Sequence, residues 1–197
     1  MKEKRIFWID KPAQVSLLSS AMQQEILDSV NALGPCSIAE LAEELGVAAD
    51  SLYYHVRKLV ETGLLVPQGA RETSRRDEIV YALPGRNMHL KYEPENPANV
   101  ASISRIISAM LRMTERDFRS GFSHAQAVVE GENRNLWGAR MKAWLSEDDL
   151  AEVNQLLGRL EDIFRQPKKS GNRKLCALTW IISPKKAQPK RREPNQT

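Results

Sequence analysis

At Gly63 the hydrophobic period of this chain changes from helical spacing to alternation, and that change limits the folds open to it. Upstream, Met22, Ile26, Val30 and Leu33 share one face of a helix expected over 16–33, stopped by Gly34-Pro35. Ser37-Ile38-Ala39-Glu40 has the form of a capping box, with a hydroxyl and a carboxylate able to satisfy two otherwise unpaired N–H groups. Ile38, Leu41, Ala42 and Leu45 then stand at i, i+3, i+4 and i+7, the apolar face of a short second helix. Gly46 ends it at a position suited to a left-handed residue. A third helix is expected over 48–62, burying Leu52, Val56, Leu59 and Val60. Downstream of Gly63, Leu64-Leu65-Val66 reads as a strand, and Ile79, Tyr81 and Leu83 alternate as its partner across the polar stretch 67–78.

Helix, helix, turn, helix, hairpin is the order of a winged helix-turn-helix. The rest of the chain predicts a mainly α protein with small β content (α+β). A linker over 84–97 leads to a long helix from about residue 97, with Val100, Ile103, Ile107 and Met110 in register and Ile106 and Leu111 widening the stripe. Its length exceeds what one small domain needs, so we expect it to be shared with a second subunit. Residues 136–145 alternate, Ser146 starts a helix carrying Leu150, Val153, Leu157 and Leu160, and 175–182 reads as a final strand. This strand–helix–strand unit is expected to form a small parallel pair. The expected domains are 1–90, 91–183 and a disordered basic tail over 184–197.

The run Ile38-Ala39-Glu40-Leu41-Ala42-Glu43-Glu44-Leu45-Gly46-Val47, continued by Leu52-Tyr53-Tyr54-His55-Val56-Arg57-Lys58-Leu59 and Glu61-Thr62-Gly63-Leu64-Leu65, resembles the ArsR-like winged helix-turn-helix regulators. The resemblance covers the N-terminal part of the chain up to the wing. It implies a dimeric bacterial transcription factor acting on double-stranded DNA. Metal-sensing members carry a cysteine motif on the second helix; Leu41-Ala42-Glu43-Glu44-Leu45 has none, so the non-metal-sensing type is expected, without cofactor. The C-terminal half looks like the extension of uncharacterised bacterial members.

With Leu52, Val56 and Leu59 facing inward, the third helix turns Ala49, Ser51, Tyr53, Tyr54, Arg57 and Lys58 outward, a face that fits a DNA major groove. Arg71, Arg75 and Arg76 fall in the wing, where guanidinium groups suit phosphates or a narrow minor groove. Asp50 and the poor N-cap Ala48 support a second reading, a winged-helix protein-interaction module without sequence-specific DNA binding. In the C-terminal half, Trp137, Met141, Trp144 and Trp180 supply apolar surface for a small-molecule effector pocket.

Net charge sharpens this. The total is +4, from 29 Lys+Arg against 25 Asp+Glu, but residues 1–166 carry −4 and residues 167–197 carry +8. A nucleic-acid interface must therefore be local to the helix face and wing. Enzyme chemistry is not expected: His55, His89 and His124 stand far apart, and no HExxH, GxSxG, P-loop or GxGxxG occurs. No apolar run is long enough to span a membrane, and residues 1–8 have no secretory core, so the expected location is the cytoplasm.

Overall fold

The computed structural model describes residues 6–72, 77–165 and 174–185. The capping box forms as its sequence requires. The Ser37 hydroxyl accepts from the Glu40 N–H at 3.3 Å, and Glu40 Oε2 accepts from the Ser37 N–H at 2.8 Å. Helix Ile38–Leu45 starts there and ends at Gly46, whose φ of +64° lies in the left-handed region. Helix Ala49–Glu61 follows, preceded by helix Ala21–Leu33 and the short helix Pro12–Leu17. In chain order the helices are α1 (Pro12–Leu17), α2 (Ala21–Leu33), α3 (Ile38–Leu45), α4 (Ala49–Glu61), α5 (Pro97–Gly121) and α6 (Glu147–Phe164).

The single helix expected over 16–33 is two. The Ser19 hydroxyl donates to Ser16 O at 2.6 Å and the Gln24 amide donates to Leu18 O at 2.6 Å, so side chains take carbonyls that a continuous helix would use. Leu52, Val56 and Leu59 of α4 are buried with Ile26, Val30 and Leu41, and Val60 is half-buried at the edge. Leu64 and Leu65 lie in the turn after α4 rather than in a strand. Gly63, at φ +75°, folds the chain back so that both their N–H groups reach Leu59 O, at 2.8 and 3.1 Å, and both side chains enter the core.

The strands are β1 (Phe7–Ile9), β2 (Cys36–Ser37), β3 (Val66–Arg71), β4 (Glu78–Ala82) and β5 (Met88–Leu90). β4 lies between β2 and β3, antiparallel to both. Pro67 sits on the edge strand β3, where its missing N–H breaks no ladder on the open side. The expected linker over 84–97 contains β5, which pairs parallel with β1 in the register Phe7–Met88, Trp8–His89 and Ile9–Leu90. Strands of three residues are too short to show a period.

Asn96 caps α5 by accepting from the N–H groups of Ala98 and Asn99, and Pro97 opens the helix. At 25 residues α5 is roughly 37 Å long. Its buried stripe is Ile103, Ile106, Ala109 and Met113, with Ile107 and Met110 half-buried and Val100 exposed, a rotation of about one residue from the expected register. The Gln24 amide bridges α2 to Ile106 O at 3.3 Å, and Arg116 pairs with Glu25. Asp28 is exposed, although neighbouring groups crowd its carboxyl and reduce its hydration. That desolvation, followed by the charges of Glu25 and Asp117, pushes its pKa up to about 6.

α6 is capped by Ser146 and Asp149 and buries none of its residues. The flanking segments 136–145 and 175–182, expected to pair as strands, join no sheet among the described residues. Among the described residues the parallel pair does not form. A two-stranded pair is marginal in water, and 175–182, apolar on both faces, would still be uncovered by it. Of the expected tail over 184–197, residues 186–197 lie outside the described residues, and among those described no helix is long and apolar enough to cross a membrane.

Leu52→Ala should cost roughly 2–5 kcal/mol in urea unfolding, since the cavity opens in a site with no solvent access. Asp28→Asn should stabilise the fold at neutral pH. A carboxyl whose pKa is raised on folding favours the folded state only while protonated, and that contribution is lost as pH rises through about 6. The difference in thermal midpoint from the parent should therefore be near zero below pH 4 and grow to a plateau above pH 6.

Candidate nucleic-acid interface

The inward residues of α4 set its outward face. Tyr53, Tyr54 and Arg57 are exposed and Lys58 is half-exposed: Tyr54, Arg57 and Lys58 point away from Leu52, Val56 and Leu59 on the helical wheel, and Tyr53 stands at the edge of the buried face. Arg57 and Lys58 both approach the Tyr54 ring, at 5.8 and 5.9 Å from its centroid, so two cations and a phenol hydroxyl share one patch. Ala49 and Ser51 begin the helix. The Ser51 hydroxyl donates to Ala48 O at 2.6 Å, which leaves its oxygen lone pairs turned outward as acceptors. Ala48 supplies no side-chain cap.

Sequence reasoning missed Glu61, whose position follows from i, i+3 and i+4 spacing. Its carboxylate meets Lys58 Nζ at 2.8 Å and Arg57 Nε at 3.8 Å. The Lys58 hydrogen bond, with the nearby positive charges, lowers the Glu61 pKa. The patch is therefore close to neutral as it stands, with Asp50 exposed at the other end of the helix.

The wing brings a third cation near α3. Arg71 Nη1 donates to Glu40 Oε1 at 3.0 Å, while Oε2 of the same carboxylate caps α3. One acidic side chain thus closes a helix and anchors the wing. Arg75 and Arg76 lie outside the described residues. Between α4 and the wing runs an open groove of about 710 Å³, walled by Ile38, Tyr53, Tyr54, Arg57, Ile79 and Tyr81. Burial and the neighbouring Tyr53 raise the Tyr81 pKa, so its hydroxyl stays protonated at neutral pH and can donate.

His55, half-buried beside the α4 seam, meets the Gln23 amide nitrogen through Nδ1 at 3.3 Å. This histidine fastens α4 to α2. Of the four residues considered for an effector site, Met141 and Trp144 are each 90% exposed, Trp137 carries the Arg134 guanidinium over its ring at 4.0 Å, and none of the four, Trp180 included, lines the grooves beside α4. No group of His, Cys, Asp or Glu among the described residues is placed to hold a metal ion.

This arrangement agrees with what the sequence matches. Residues 18–68 match the family described as a helix-turn-helix domain. The domain is a winged helix-turn-helix. No curated protein matches the chain. Similar solved structures include disulfide-formed AbfR, at 14% identity over 73% of each chain with a TM-score of 0.30. Staphylococcus aureus MarR in complex with salicylate and kanamycin is 11% identical over 72% of this chain and 71% of that one, with a TM-score of 0.28. A Lactococcus lactis ZitR variant is 13% identical over 74% and 75%, with a TM-score of 0.27. At these scores the neighbours carry no argument about this chain; the domain rests on the family match and on the α3–Gly46–α4–wing geometry.

Proposed function

We propose that this chain is a homodimeric DNA-binding transcriptional regulator of the ArsR-like, non-metal-sensing kind, acting in the cytoplasm and without catalytic activity. In this reading residues 1–90 form the DNA-binding domain, 91–183 the dimerisation domain, and the basic tail follows. α4 enters the major groove, with Tyr53, Tyr54 and Ser51 toward base edges and Arg57 and Lys58 toward phosphates. Arg71, with Arg75 and Arg76, serves the phosphates or minor groove beside it.

One observation carries the reading. The Tyr54–Arg57–Lys58 patch stands on the exposed face of a helix whose other face is locked into the core, beside a two-stranded wing. A helix held this way can enter a groove without rearranging. The protein-interaction alternative draws on Glu61 and Asp50, which balance the two cations of α4 and leave no net charge on that face. Retention on heparin followed by a gel shift with DNA from the gene's own upstream region separates the two; absence of any shift would favour the protein-interaction module.

Two substitutions test the mechanism. Arg57→Ala should weaken DNA binding and flatten the dependence of log K on log salt by about 0.9, the share of a single neutralised phosphate. An unchanged slope would remove Arg57 from the contact surface. Glu61→Gln should strengthen binding at every salt concentration, because it releases Arg57 and Lys58 from an internal competitor. Weaker binding by the Gln variant would show instead that Glu61 orients the cations productively.

A further inference from the structure

The C-terminal third of the chain carries far more apolar surface than a single copy can cover. The chain exposes 15701 Å². A compact monomer of its mass, 22.3 kDa, exposes about 9,400 Å². Crediting the undescribed residues with the full surface of an extended chain, and the described ones alone with that of a compact body, still leaves an excess on the order of 2,300 Å² per copy. Doubled over two copies, an excess of that size reaches the upper end of permanent subunit interfaces, which bury about 2,000–5,000 Å² in total.

The excess has a definite structure. Along α6, Leu150, Val153, Leu157, Leu160 and Phe164 are spaced 3, 4, 3 and 4, the seam of a short coiled coil, and Leu156 and Ile163 flank it. None is buried. On either side of α6 runs an extended segment, and no backbone–backbone hydrogen bond among the described residues involves 137–145 or 174–182. Thr179 is tied to Thr114 of α5 by a hydroxyl hydrogen bond at 2.6 Å, but the apolar side chains around it are not covered: Leu175 is 72% exposed, and Leu178, Trp180, Ile181 and Ile182 stand open. Such a strand requires neighbours at its edge and on both faces.

We propose that a second copy of this chain supplies them by exchange: residues 137–145 of one copy pair beside 174–182 of the other, and the α6 seam packs against the second copy. The proposal rests on the two-copy reading above and names the segments that build that dimer. Two features select a second copy rather than an unrelated protein. First, the unpaired segments are reciprocal: each copy carries one strand lacking a ladder partner and the matching strand for the other, so a two-fold arrangement satisfies both at once and closes. Second, the α6 seam is of the kind that interlocks with a copy of itself. The aromatic residues considered for an effector site, Trp137, Trp144 and Trp180, then become the core of this shared layer.

The test uses the full chain and its own cysteines. Cys36 is buried and Cys176 is exposed within the second segment. Sedimentation should first give twice the chain mass; a monomer at micromolar concentration overturns both the exchange and the two-copy reading. Then Ala139→Cys, Arg140→Cys, Met141→Cys and Lys142→Cys, made singly, are oxidised mildly and run without reductant. Facing positions on paired strands fall within disulfide range, so one or two variants should run mostly as a covalent dimer. That band should vanish on adding Cys176→Ser. A reductant-sensitive band of monomer size, dependent on Cys176, would place the two strands in one chain and overturn the exchange. A stable dimer with no Cys176-dependent cross-link in any variant would also overturn it while leaving the two-copy reading intact.

Discussion

The burial of Leu52, Val56 and Leu59 fixes what α4 can present. These three side chains leave no room for α4 to roll, because Ile26 and Val30 of α2 and Leu41 of α3 close the other side, and Leu64 and Leu65 seal the end. A roll of one residue position, about 100° on a helix, would drive Tyr53 or Arg57 into that core. The outward chemistry of Tyr54, Arg57 and Lys58 is thus a consequence of apolar packing, and the wing and capping box serve to keep the packing in register. Polar ties extend the same constraint. The buried Gln14 amide donates to Thr62 O at 3.0 Å, so α1 is fastened to the end of α4.

The N-terminal half is readable in the sequence wherever local physics and packing agree. Ser37 and Glu40 cap α3, Gly46 adopts its left-handed turn, and the α4 seam is buried at the positions its period marks. Reading fails where a side-chain hydrogen bond or a tertiary contact decides the outcome. Ser16, Ser19 and Gln24 split one helical pattern into two, Leu64 and Leu65 look like strand residues but serve as core in a turn, and β1 and β5 exist only because they meet each other. The C-terminal half shows a different failure. Its strand patterns are real as alternation, yet among the described residues neither segment joins a sheet, and alternation alone does not say what a segment pairs with.

At the candidate interface, the residue types are legible and their partners are not. Periodicity places Arg57 and Lys58 outward; it does not reveal that Glu61 already engages both, nor that Arg71 is held by Glu40. The local charge therefore differs from a count of cations in the same way that the +4 of the whole chain differs from its distribution.

The carboxylate of Glu40 has one further consequence. Its two oxygens are divided between a helix start and a wing guanidinium. An approaching polyanion can take Arg71 only by displacing a ligand already seated, and it then faces the carboxylate it has uncovered. In the proposed reading, every DNA contact made by Arg71 is discounted by the cost of this exposed pair, about 0–1 kcal/mol. The wing is thus loosened from α3 by the same contact that fixes it to a phosphate, while the second oxygen of Glu40 still holds the helix start.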